Sequence, residues 1–151
     1  MGVEELSAAL QPYRLLFLDT MVLSYHLGDH PVYASLTALI LRRVEQNVVS
    51  ALTTTVTLAE VLTRPAQVGN RDAVADYRLY LANFPNLRIV PLDLALAERV
   101  AWVRAETRLR MPDAVQIAAA QLHGADCIIT NDRAWAGRFA APALLVLDDY
   151  R

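Results

Sequence analysis

Leu15-Leu16-Phe17-Leu18-Asp19-Thr20 and, far downstream, Cys127-Ile128-Ile129-Thr130-Asn131-Asp132 decide how this chain folds. Neither apolar run alternates with polar residues, and each is closed by polar turn formers. That is the pattern of a short strand buried on both faces of a parallel sheet. Helical periodicity fills the sequence between them, and strands alternating with helices predict an α/β fold: a three-layer α/β/α sandwich around a central, mainly parallel sheet. In such a sheet ligands bind beyond the carboxyl ends of the strands. Asp19 and Asp132 both fall on that rim.

Outward from these two runs, the pattern predicts a strand over 14–18, helices near 20–27 and 32–45, and a short strand near 47–50. A helix carrying Glu60 comes next, then a helix near 70–83, a strand near 87–90 and a helix over 93–107. A helix from Asp113 to Gly124, a strand over 126–129 and a last strand over Leu144-Leu145-Val146-Leu147 complete the path. No internal repeat, low-complexity tract or linker interrupts it. The 151 residues, 55% of them hydrophobic, are expected to form one domain over 1–151.

Two further carboxylates belong with the aspartates. Glu60 lies in Thr55-Val56-Thr57-Leu58-Ala59-Glu60-Val61-Leu62, where the other residues are apolar or small, so its side chain is expected in partly buried space. A lone charge is costly there unless a cation or hydrogen-bond donors meet it. Asp113 follows Pro112, a pairing suited to a helix start and to the positive end of the helix dipole. Each has a plainer reading. Glu60 pairs with Arg64 one turn on, Asp113 serves its helix dipole, and Asp19 and Asp132 cap the turns after them. Four carboxylates from four segments at one sheet edge are better explained as one site. Oxygen ligands without a crowd of His or Cys select Mg²⁺ or Mn²⁺ over zinc.

The segments Leu18-Asp19-Thr20, Thr57-Leu58-Ala59-Glu60-Val61-Leu62-Thr63-Arg64-Pro65, Pro112-Asp113-Ala114-Val115-Gln116-Ile117-Ala118-Ala119-Ala120 and Thr130-Asn131-Asp132 resemble, in order, the acidic motifs of the PIN-domain ribonucleases, VapC-type toxins above all. The resemblance runs from about residue 14 to the C-terminus. It implies a PIN-like fold and a metal-dependent endoribonuclease that leaves a 5′-phosphate and a 3′-hydroxyl. It assigns Asp19, Glu60, Asp113 and Asp132 as the metal-binding and catalytic acids, with Thr20 and Thr130 as supporting hydroxyls. Many relatives carry Asn or another polar residue two positions after the first Asp, where this chain has Met21. Any support at that point has to come from elsewhere, and Asn131 is the candidate. The expected partners are an RNA substrate, a cognate antitoxin of a VapBC-type pair whose basic side chain enters the acidic cleft, and a second copy in a homodimer. A housekeeping PIN nuclease in RNA maturation, or a non-catalytic module gripping a basic partner, stays open beside the toxin.

Charge and composition bound these readings. The net charge of −2 is set against fourteen basic residues that are all Arg, with no Lys. Arg makes bidentate phosphate contacts and stacks on bases. Arg64, Arg110 and Arg133, each close in sequence to an acidic motif, are therefore candidate RNA contacts, against a reading as solvated or ion-paired surface. The missing Lys and the missing Gly-rich loop argue against receiver domains, haloacid-dehalogenase-type phosphatases and P-loop nucleotide binding. No apolar stretch reaches the roughly 18 residues of a membrane span, and the N-terminus lacks a basic leader, so a cytoplasmic protein is expected. Cys127 reads as a small core residue.

The other reactive-looking side chains have plain readings. His26 and His30 are separated by Gly28, which argues against a zinc site, and His123 suits a helix C-terminus. Trp102 and Trp135 are expected in the core. Tyr77, Tyr80, Leu81 and Phe84 are expected to form an exposed apolar face for a second copy or an antitoxin.

Overall fold

The computed structural model describes residues 2–151. Five strands, β1 (Leu15–Leu18), β2 (Ser50–Thr54), β3 (Leu87–Val90), β4 (Cys127–Thr130) and β5 (Ala143–Val146), form one sheet in the order β3-β2-β1-β4-β5. Every pairing is parallel: Phe17 of β1 lies opposite Leu52 of β2 on one side and Ile128 of β4 on the other. From β1 the chain steps outward through β2 to β3, then returns to place β4 on the other flank of β1. The reversal of direction therefore falls at β1 and β4, the strands that lead into Asp19 and Asp132.

Among the described residues seven helices cover the sheet: α1 (Gly2–Leu10), α2 (Thr20–Leu27), α3 (Ala34–Glu45), α4 (Thr55–Gln67), α5 (Arg71–Ala82), α6 (Leu94–Thr107) and α7 (Met111–Leu122). Side chains alternate across a strand, and the two cores obey that alternation. Leu16, Leu18, Cys127 and Ile129 pack with α1, α2 and α3, joined by Val61 of α4 and Leu81 of α5. Phe17, Leu52 and Ile128 pack on the other face with α6 and α7. The run Ala114–Ala120 of α7 is buried throughout, because small side chains let the helix lie close to the sheet. Burial pushes the Cys127 thiol up to about 12, as an inert core residue requires.

The expected three-layer sandwich is therefore present, with local corrections. The strand placed near 47–50 begins at Ser50. Residues before it form the exit turn of α3, where Val48 and Val49 both donate backbone N–H bonds to the Arg43 carbonyl and Asn47 is left-handed at φ 59°. The polar run Thr53-Thr54 disguised the true strand, although threonine suits a strand as a β-branched residue. The last strand lies one residue earlier than expected. Helix α1 was not foreseen; it buries Leu6 and Leu10 and sits against the C-terminal 3₁₀ turn, where a Cβ on Gly2 would come within 1.8 Å of the Tyr150 carbonyl oxygen. Trp135 is buried, but Trp102 is 59% exposed on the outer face of α6. The expected apolar face of α5 is turned inward: Leu81 is buried, Tyr77 and Phe84 are half-buried against the core, and only Tyr80 is exposed.

At the amino edge, Asp126 Oδ2 accepts the backbone N–H groups of both Arg14 and Leu15 at 2.8 Å, tying the start of β1 to the start of β4. A hydrogen bond to a charged acceptor contributes more than a neutral one, and this carboxylate is solvent-exposed, which reduces the gain. Asp126→Ala is expected to cost about 1–2 kcal/mol in urea unfolding. Asp126→Asn, which keeps an acceptor, should recover most of it.

Candidate active site at the carboxyl edge of the sheet

Asp19 follows β1 directly and is 5% exposed. Its backbone N–H donates to the Ile129 carbonyl at 3.1 Å, which holds it against β4. Oδ1 accepts the Thr20 N–H at 2.7 Å as the N-cap of α2, and Oδ2 accepts the Thr130 hydroxyl at 2.7 Å. The capping reading of Asp19 is thus true without exhausting the residue. Burial pushes its carboxyl up to about 6; the Thr130 and Thr20 bonds oppose this, and the charges of Glu60 and Asp113 add to it. Those couplings put three of the four sequence-assigned acids in one electrostatic neighbourhood.

Glu60 differs from expectation. It is exposed on α4 rather than partly buried, on the solvent side of the helix with Ala59. Its hydrogen-bond partner is Thr20, whose hydroxyl donates to Oε1 at 3.0 Å, and among the described residues it makes no ion pair with Arg64. Asp113 sits in the first turn of α7, its Oδ2 3.7 Å from the Arg110 guanidinium. Burial raises its proton affinity, Arg110 opposes, and Asp132 raises it further. Asp132 caps the short 3₁₀ turn Arg133–Trp135 through Oδ1 and the Ala134 N–H at 2.9 Å, while its own N–H donates to the Thr130 hydroxyl at 3.1 Å. Thr130 therefore joins the Asp132 loop to the Asp19 carboxylate.

The remaining assignments divide. Asn131 spends its amide away from the acids, donating to the Tyr25 hydroxyl at 3.1 Å and accepting the Asp148 N–H at 2.8 Å; it anchors the C-terminal turn. Arg64 is exposed and lines, with Glu60, Ser24, Leu27 and Tyr77, a groove of about 440 Å³ between α2, α4 and α5. Arg110 is exposed beside Asp113. Arg133 is drawn off to Asp149 at 2.6 Å and Asp148 at 3.4 Å. His26 bonds the Tyr80 hydroxyl and His30 accepts from the Val32 N–H, so the two do not share a ligand site.

Sequence reading missed the group that ties these residues together. Gln116, on α7 and 1% exposed, donates to Thr20 Oγ1 at 3.1 Å and to Thr57 Oγ1, and accepts from Thr54 Oγ1 at 2.9 Å. The available signal was an amide flanked by Val115-Gln116-Ile117-Ala118-Ala119, a polar group inside a wholly apolar helix run. A buried polar group needs partners, and the threonine run 53–55 was the place to look for them.

Among the described residues no group of three or more His, Cys, Asp and Glu side chains is placed to hold a metal ion by itself. The donor set nevertheless suits a hard cation. Mg²⁺ takes one or two carboxylates and completes its shell with water and substrate phosphate. A buried carboxylate whose proton affinity is raised by two neighbouring acids is what a divalent cation relieves.

The PIN domain family model matches residues 16–139. Among solved structures, the chain is similar to a toxin–antitoxin complex from Klebsiella pneumoniae at 23% identity and a TM-score of 0.65, covering 87% of this chain and 97% of that one. It is similar to VapBC2 from Rickettsia felis bound to a DNA fragment from their promoter at 16% identity and a TM-score of 0.69, covering 87% and 98%. Mycobacterium tuberculosis VapC20, a sarcin-ricin loop cleaving toxin, matches at 14% identity and a TM-score of 0.58, covering 75% and 86%. No curated protein sequence matches the chain. At these identities the solved structures speak for the fold alone.

Asp19 makes a signed prediction for the metal-free protein. Its native carboxyl binds a proton between 3.8 and about 6 that the unfolded chain has released, so its contribution to stability falls as pH rises through that window. Above it the penalty is fully present, on the order of 2–3 kcal/mol. In EDTA, Asp19→Asn should be more stable than wild type at pH 7 and lose that advantage at pH 4. An equal difference at both pH values, read by urea unfolding, would count against a buried, strained charge.

Proposed function

The chain belongs to the PIN domain family, and from that premise we propose that it is a Mg²⁺- or Mn²⁺-dependent endoribonuclease, the toxin of a VapBC-type toxin–antitoxin pair. One observation carries the reading: four elements bring four acids to the carboxyl edge of the sheet, and Asp19 among them is buried, with Glu60 and Asp113 near enough to raise its proton affinity. In this reading Asp19, Asp113 and Asp132 bind the ion, and Glu60 binds it or orients the attacking water. A bound cation supplies the positive charge that polarises water and stabilises a leaving oxygen. Thr130 and the Thr20 N–H hold the Asp19 carboxylate in one orientation, and Thr20 Oγ1 does the same for Glu60. Arg64 and Arg110, exposed beside Glu60 and Asp113, are the arginines open to phosphate. Arg133, held by Asp148 and Asp149, is the weakest of the three for that role.

Support for the toxin role comes from the likeness to the Klebsiella and Rickettsia complexes. The groove from Glu60 past Arg64 to Tyr77 would take an antitoxin segment ending with a basic side chain at Glu60. A homodimer would have exposed apolar side chains of α6 to bury, Leu94 at 91% and Trp102 at 59%. No helix among the described residues is long and apolar enough to cross a membrane.

Purified protein is expected to cut a panel of structured and single-stranded RNAs with Mg²⁺ or Mn²⁺ and to stop in EDTA. Asp19→Asn and Asp113→Asn should each lower cleavage by more than about 100-fold, beyond the 10–100-fold that partners outside a metal's ligand shell carry. Metal-independent cutting, or full activity in both variants, would sink the proposal.

A further inference from the structure

We infer that Gln116 is a positioning residue that makes the hydroxyl network joining α2, α4 and α7 one-directional, so that Thr20 donates to Glu60 and fixes the orientation of that side chain beside Asp19. The inference rests on the metal-dependent reading proposed above.

Thr54, Thr57 and Gln116 are each at most 1% exposed, so their polar groups must be satisfied within the protein, by one another, by Thr20 and by the backbone. Thr54 Oγ1 is the N-cap of α4 and accepts the Thr57 N–H at 3.2 Å. Its hydroxyl hydrogen is left to donate, and the acceptor in reach is Gln116 Oε1 at 2.9 Å. The helix cap thereby selects the amide orientation, because a flipped amide would strand that buried hydrogen. Both hydrogens of Gln116 Nε2 then point to Thr20 Oγ1 and Thr57 Oγ1. Thr57 Oγ1, already an acceptor, has one hydrogen to place, and Thr20 Oγ1 lies 3.0 Å away. Thr20 Oγ1 accepts from both and has one hydrogen left, which goes to Glu60 Oε1 at 3.0 Å.

The opposite assignment, with Thr20 donating to Thr57, leaves the buried Thr57 hydrogen without a partner and removes the donor from Glu60. Leaving a buried donor unmade costs the full desolvation of that group. One pattern therefore satisfies every atom, and its last hydrogen arrives at a carboxylate. Thr20 occupies the junction: its N–H holds Asp19 Oδ1 and its hydroxyl holds Glu60 Oε1. Gln116 brings α7 into this arrangement, and Asp113 stands one turn earlier on the same helix. Groups behind a metal's own ligands typically carry about 10–100-fold in affinity.

The test is Mn²⁺ affinity, measured by electron paramagnetic resonance on wild type, Gln116→Leu, Gln116→Glu, Thr20→Val and Thr20→Ser, alongside RNA cleavage at limiting and saturating Mn²⁺. Gln116→Leu, Gln116→Glu and Thr20→Val are expected to bind Mn²⁺ about 10-fold more weakly or worse. Their cleavage should recover substantially at saturating Mn²⁺. Thr20→Ser keeps the hydroxyl and should stay within about threefold of wild type, well short of the loss that removing such a supporting group brings. If Gln116→Leu fails to fold, the isosteric Thr20→Val, set against Thr20→Ser, decides. Wild-type Mn²⁺ binding with unchanged affinity in folded Thr20→Val and Gln116→Glu would overturn this inference and leave the nuclease reading standing. A wild type that neither binds Mn²⁺ nor cleaves would overturn both.

Discussion

A sheet whose strands all run the same way delivers the residues after each strand to a single edge. Here that constraint acts on β1, β2 and β4, three neighbours whose carboxyl ends carry Asp19, the Thr54 cap of α4 and the Thr130-Asp132 loop. The crossovers put the helices on the faces of the sheet and turn the starts of α2, α4 and α7 toward that edge. Chain segments far apart in sequence meet there without any of them needing affinity for the others. Hydrophobic burial of the strands on both faces drives this arrangement, and the polar edge is its by-product.

The edge concentrates a cost the fold has to meet. A carboxylate in Asp19's position is desolvated and faces other acids, yet it is fixed by a backbone bond to β4 and by two donors. Threonine is the repeated solution. Its hydroxyl accepts from one group and donates to another, so Thr130 links the Asp132 loop to Asp19, and Thr20 links the amide of Gln116 to Glu60. Such residues cost little volume beside a sheet edge and suit strand ends as β-branched side chains. The result is that Asp19 and Glu60 are held in orientation by hydroxyl and backbone donors rather than left free to turn.

Much of this was legible in advance. The buried strands Leu15–Leu18 and Cys127–Thr130 declared themselves by unbroken apolar runs, and α2, α6 and α7 by caps and periodicity close to their observed bounds. The elements that escaped had a common cause. The strand Ser50–Thr54 is mostly serine and threonine and gives no apolar signal, helix α1 is stabilised by packing against the C-terminal turn, and the exposure of Glu60 depends on where α4 meets the rim. Trp102 shows the same limit from the other side, since helical spacing cannot say which face of α6 the sheet covers.

Sequence by itself determined the α/β class, the order of most elements and which four acids are candidates for the site, because strand burial, helix caps and charge are properties of short segments. Tertiary structure alone decided that Asp19 is the buried acid and Glu60 the exposed one, that Arg133 is spent on Asp148 and Asp149, and that Gln116 bonds Thr20 and Thr54. Desolvation and hydrogen-bond direction depend on neighbours from other segments, and no local pattern encodes which segments will be brought together.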